Sequence, residues 1–122
     1  MPSPQNVIVA NEIEENVRAG GAVPATIAIL DGRVHVGLNA AQLEQLGDPA
    51  SNVIKVSTRD LGPVIAANAN GATTVSATSH IAHLAGIKYF ATGGLGGVHR
   101  GARDNWDESA DLVTLARTPI TV

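Results

Sequence analysis

From Asn6 onward, apolar residues return at Val9, Ile13 and Val17, the spacing that lays one face of an α-helix against a core. Asn6 is placed to cap this helix, Glu14 and Arg18 pair four apart on its outer side, and Gly20-Gly21 ends it. Beyond Pro24 the pattern changes to a short, mostly apolar run over residues 25–30, the turn dipeptide Asp31-Gly32, and the alternating stretch Arg33-Val34-His35-Val36. Run, turn and run predict a β-hairpin.

A short helix over residues 40–46, capped by Asn39, precedes a loop at Pro49 and Ser51, and Val53-Ile54-Lys55-Val56 reads as a strand. Residues 58–67 open on a capping hydroxyl but carry Pro63, so a helix that starts late or bends is expected. Asn70-Gly71 reads as a break. Residues 73–85 are small and apolar on most sides with Gly86 at the C-cap, and Ile87-Lys88-Tyr89-Phe90-Ala91 reads as a strand. A glycine-rich, charged loop over residues 92–106 leads to a helix capped by Ser109, and Pro119-Ile120-Thr121-Val122 opens a further strand. Helices and strands alternate, so the predicted fold is α/β, a sheet flanked by helices in a single domain over residues 1–122. Because the chain stops within its last strand, that domain is expected to be incomplete.

Composition narrows this picture. With 44% hydrophobic but only 2% aromatic residues, the core must be built from Ala, Val, Ile and Leu, a mix suited to helices packed closely on a buried parallel sheet. A net charge of −3 gives no general attraction to nucleic acid or anionic membrane, so neither is an expected partner and any phosphate contact must be local. The absence of cysteine excludes disulfide and thiolate chemistry, and no apolar run approaches a membrane span. A cytoplasmic protein is expected.

The candidate chemistry begins at Gly93-Gly94-Leu95-Gly96-Gly97, placed after a predicted strand, where α/β proteins put ligand loops. Its glycines suit either an anion held by backbone N–H groups or a tight turn. The spacing matches neither the dinucleotide fingerprint nor a P-loop. His99 and Arg100 add an imidazole and a fixed cation suited to a phosphate or oxyanion, or else a solvated loop tip. Asp107 and Asp111 flank Ser109 at a helix start, a spacing that serves a hard cation or simply offsets the helix dipole. Lys55, one of two lysines, stands at the end of an apolar strand, and Thr73 and Thr74 offer hydroxyls that fit phosphate binding or capping equally. His80 and His83 have no third ligand nearby in sequence and read, like His35, as structural.

Taken in order, Met1-Pro2-Ser3-Pro4-Gln5-Asn6, Gly21-Ala22-Val23-Pro24-Ala25-Thr26-Ile27, Asp31-Gly32-Arg33, Lys55-Val56-Ser57-Thr58-Arg59-Asp60, Gly71-Ala72-Thr73-Thr74-Val75, the loop from Ala91 to Gly101, and Asp107-Glu108-Ser109-Ala110-Asp111-Leu112 resemble the pseudouridine-5′-phosphate glycosidase family, also described as indigoidine synthase A-like. The resemblance covers essentially the whole chain. It implies reversible cleavage of the C–C bond joining uracil to ribose 5-phosphate, with a divalent metal, typically Mn2+, and a lysine that stores the opened sugar as an imine. A C-glycoside has no leaving nitrogen or oxygen at the bond, so the imine supplies the missing electron sink.

Carried over by position, Lys55 and Val75 resemble substrate-contacting residues, and Ser109, Ala110 and Asp111 a substrate-binding run. Asp107 resembles the metal-associated carboxylate and His99 the active-site histidine. The implied partners are pseudouridine 5′-phosphate, uracil and ribose 5-phosphate, and the implied assembly is a homotrimer. The family's proton-donating glutamate lies before its Met-Pro run, and its nucleophilic lysine lies beyond the strand that Ile120 opens. Neither matches a residue here, so the 122-residue polypeptide alone is expected to show no turnover. A non-catalytic module that holds a nucleotide or sugar phosphate, or a structural partner chain, are the competing classes.

Overall fold

A computed structural model describes residues 3–122; Met1 and Pro2, the start of the first motif, lie outside it. Helix α1 (Gln5–Ala19) is followed by the hairpin β1 (Ile27–Leu30) and β2 (Arg33–Val36), then α2 (Ala40–Gly47). Strand β3 (Ile54–Val56), α3 (Leu61–Ala66), β4 (Gly71–Thr73) and α4 (Val75–Leu84) come next, and α5 (Ala102–Asn105) and α6 (Ala110–Leu115) complete the order. The four strands form one sheet in the order β2-β1-β4-β3. Strand β1 pairs antiparallel with β2 and β4, while β3 and β4 run parallel. The α/β class holds, but the sheet is mixed rather than parallel.

The hairpin forms as predicted, because Asp31 (φ 49°) and Gly32 (φ 70°) both take the left-handed backbone that a two-residue turn needs. Asn39 caps α2 reciprocally with Gln42. The Pro63 helix does start late: a 3₁₀ turn over Thr58–Asp60 precedes α3.

Four expectations are corrected. Asn6 lies inside α1, where its amide donates to Gly47 O at 3.0 Å. The helix also turns Glu14 inward and leaves Ile13 57% exposed. The Glu14 carboxylate is kept there by Thr26 Oγ1 at 2.6 Å and Arg18 at 2.9 Å, so a buried charge is paired and hydrogen-bonded. Asn70 lies in the loop that follows α3, but Gly71 is not part of that break, since it opens the interior strand β4. A Cβ at Gly71 would lie 2.5 Å from Val56 Cγ2 and 3.5 Å from Val64 Cγ1, so glycine serves a close approach between strands. Finally, the strands expected at residues 87–91 and 119–122 reduce to a single parallel bridge, Tyr89 to Thr121.

All four residues of β1 are buried. Alternation along the strand puts Ile27 and Ile29 on one face and Ala28 and Leu30 on the other, so helices must cover both. Ile27 packs with Ile81 and Ala82 of α4, and Ile29 with Val56 and Val64. Ser79 of α4 is also fully buried, and among the described residues its hydroxyl has no hydrogen-bond partner. An unpaired buried hydroxyl costs about 1–3 kcal/mol. Ser79→Ala is therefore expected to raise stability by about 1 kcal/mol, read as a higher urea midpoint at unchanged slope.

Candidate active site

The parallel pair β3 and β4 points its carboxyl ends the same way, the place where open α/β sheets form a ligand crevice. The chain leaving β3 carries Ser57, Arg59 and Asp60, and the chain leaving β4 carries Thr74 and Val75. With Lys55 of β3, these residues form one side of a cavity of about 480 Å3. The other side comes from Gly94, Gly96, His99, Asp107, Glu108, Ser109, Ala110 and Asp111. All seven residues singled out from sequence, Lys55, Val75, His99, Asp107, Ser109, Ala110 and Asp111, thus line one space, although up to 56 positions separate them.

Local chemistry shapes each wall. After β3, Asp60 Oδ2 accepts from Ser57 N at 2.8 Å and from Ser57 Oγ at 2.6 Å, closing the turn that presents Arg59. The Ser57 hydroxyl, then its amide, and least the Arg59 charge hold the Asp60 carboxyl below its ordinary range. A depressed carboxyl pKa contributes stability that is present above the unfolded value and lost as pH falls through the folded one. The melting-temperature difference between wild type and Asp60→Asn is therefore expected to hold from neutral pH to about pH 5 and to shrink below about pH 4. A difference that stayed constant down to pH 2 would contradict this reading.

At the glycine loop, His99 Nδ1 lies 3.0 Å from Asp107 Oδ2, and His99 N donates to Asp107 O at 3.2 Å. This fixes the ring beside the cavity. The side chains are 48% and 62% exposed, so the pair orients the imidazole more than it stabilises the fold. Ser109 caps α6 by accepting from Asp111 N at 3.2 Å. Asp111 itself is only 6% exposed; its Oδ1 accepts from Ser76 N and its Oδ2 from Gly96 N, each at 2.8 Å.

Other sequence candidates fall outside the cavity. Arg100, Lys88, His80 and His83 are not among its lining residues, and Thr73 Oγ1 donates to Ile27 O while accepting from Thr78. His35 bonds Gln42. The residues that sequence reasoning missed are Arg59, Ser57, Asp60 and Glu108. Arg59 had a signal, since it stands four after Lys55 across a strand end, but only the fold turns both toward one space.

Among the described residues, no three His, Asp or Glu side chains converge as a cation cage. Asp107 is exposed on the cavity wall, and His99 pairs with only one of its oxygens. That donor set fits a hydrated hard cation held at one carboxylate, a mode in which most ligands are water. No described helix is long and apolar enough to cross a membrane.

The family model described as Indigoidine synthase A like protein matches residues 1–122. The chain is 61% identical over 123 residues to a pseudouridine-5′-phosphate glycosidase of Streptomyces griseus, covering 100% of this chain and 38% of that relative. It is 60% identical over 122 residues to the protein of that name from Escherichia coli K12, covering 100% of this chain and 39% of the relative. A crystal structure of the prealnumycin C-glycosynthase AlnA in complex with ribulose 5-phosphate superposes with a TM-score of 0.87 at 42% identity, over 97% of this chain and 39% of that one. The chain thus spans about two fifths of the length of the relatives it matches. Spanning 122 of 122 residues, the match places the chain in the Indigoidine synthase A like protein family.

Proposed function

We propose that these residues form the sugar-phosphate side of the active site of a pseudouridine-5′-phosphate glycosidase, which reversibly splits the C–C bond between uracil and ribose 5-phosphate. The observation that carries this reading is the convergence of Lys55, Val75, His99, Asp107, Ser109, Ala110 and Asp111 on one cavity at the carboxyl ends of β3 and β4. Relatives of that name at about 60% identity support it, as does a related C-glycosynthase that holds a sugar phosphate.

In this reading the phosphate sits between Lys55, Arg59 and the first turn of α4, where Val75 N–H meets it at the positive end of the helix dipole. The His99 imidazole, held through Nδ1 by Asp107, leaves Nε2 to exchange a proton with the sugar. Ser109 and Ala110 bound the space beside it. The residues of this chain that line the cavity bind and orient the sugar phosphate. A divalent cation, Mn2+ by resemblance, fits at Asp107, where it would polarise and orient oxygen ligands. The expected signature is Mn2+-induced broadening of the His99 and Glu108 amide resonances that disappears in Asp107→Asn. Broadening that persisted in that variant would place the ion elsewhere.

The resemblance also supports a cytoplasmic homotrimer. Leu84 at 72%, Tyr89 at 78% and Trp106 at 83% exposure are apolar surface that further protein would cover. The functional reading is tested by calorimetry of this chain with ribose 5-phosphate and with ribose. Saturable binding that requires the phosphate is expected, whereas equal or absent binding of both would reject the sugar-phosphate site.

A further inference from the structure

We propose that Asp111 is a positioning residue, whose carboxylate fastens the glycine loop to the first turn of α4 and so sets the spacing of the walls that enclose the ligand. The inference rests on the sugar-phosphate reading above for what the cavity holds, but not for the fastening. A cavity-lining aspartate near a helix start invites a ligand-contacting role. Its surroundings point elsewhere. Asp111 is 6% exposed, and each carboxylate oxygen faces a backbone amide, Ser76 N on one side and Gly96 N on the other, both at 2.8 Å. Charge-assisted bonds of this length are the strong kind.

The partners are built to receive it. A Cβ at Gly96 would overlap Ser109 Oγ and stand 2.5 Å from Ser109 Cβ and 2.9 Å from Asp111 Oδ2. The loop can approach α6 this closely only as glycine, while a Cβ at Gly93, Gly94 or Gly97 would meet nothing within 4 Å. On the other side, fully buried Ser76 extends the connection. Its hydroxyl accepts from Thr58 N at 3.2 Å and lies 3.0 Å from Thr74 Oγ1. Thr58 Oγ1 is in turn 3.1 Å from Thr114 Oγ1 of α6. One carboxylate therefore ties together the turn that carries Arg59, the helix start that carries Val75, and the loop that carries Gly94. Removing it lets all three walls drift, and the cost falls on ligand affinity.

The test is a double-mutant cycle on this chain, with Asp111→Asn, Gly96→Ala and the double variant titrated with ribose 5-phosphate. Asn keeps the shape but turns an N–H toward one of the two amides; Gly96→Ala pushes the loop away and leaves the carboxylate intact. If Asp111 acts through Gly96, each single variant weakens binding by about tenfold and the double variant is no weaker than the worse single one. Additive losses would overturn the proposal, because they mean that Asp111 touches the ligand independently of the loop. Amide exchange without ligand judges the fastening separately. Asp111→Asn should speed exchange at Ser76 and Gly96 by at least about tenfold while β1 amides stay protected. Unchanged exchange at Ser76 and Gly96 would overturn the proposal even if sugar phosphate bound as expected. If wild type fails to bind ribose 5-phosphate, the functional reading fails, and the exchange result still decides whether Asp111 is the fastening.

Discussion

Removing both cavity cations, Lys55→Ala together with Arg59→Ala, is expected to weaken ribose 5-phosphate binding by at least about 100-fold. Neither side chain has a salt-bridge partner within the described residues, yet both line the same cavity beside the start of α4. Their charges are thus free for a ligand anion. Each hydrogen bond to a charged group contributes about 1.5–3 kcal/mol, and two such losses give the stated factor. Inorganic phosphate should lose affinity by a comparable factor, because the two cations contact the phosphate group alone. Unchanged inorganic-phosphate affinity, measured by calorimetry, would mean that the two cations shape the cavity rather than read the phosphate.

The second large effect concerns the scaffold. Ile29→Ala is expected to lower the unfolding free energy by about 3 kcal/mol. Ile29 is fully buried and packs against Val56, Val64, Leu61 and Ala69, so the strand cannot refill the space from solvent. Urea unfolding should show a lower midpoint at unchanged slope. Because Val56 ends the strand that carries Lys55, the same substitution also loosens the cavity rim. A loss under about 1 kcal/mol would show that the core collapses around the change.

The hairpin was legible because Asp31-Gly32 states its turn chemistry locally, and α2 because Asn39 and Gln42 form a local capping box. Strand β4 was not legible. Gly71 looks like punctuation along the chain, and the contact that demands glycine comes from Val56 and Val64 across the sheet. Likewise the apolar spacing pointed Ile13 inward, while Thr26, twelve residues after Glu14, is what turns the carboxylate to the core.

The site divides in the same way. Its glycine loop and the helix start at Ser109 announce themselves, and the family motifs name most of the lining. Arg59 needed the fold, because a strand end and a 3₁₀ turn together bring it beside Lys55. Asp111 needed it more. Spacing along α6 places the carboxylate near a cavity, but only the packing of α4 and the loop on α6 shows that Ser76 and Gly96 occupy it.

The most direct measurement of the account is made by substituting these 122 residues for the segment they match in the Escherichia coli relative, then following uracil release from pseudouridine 5′-phosphate. The account predicts that the chimera releases uracil and that His99→Ala within it abolishes release without changing its melting temperature. A chimera that unfolds cooperatively, binds ribose 5-phosphate and yet releases no uracil would contradict it.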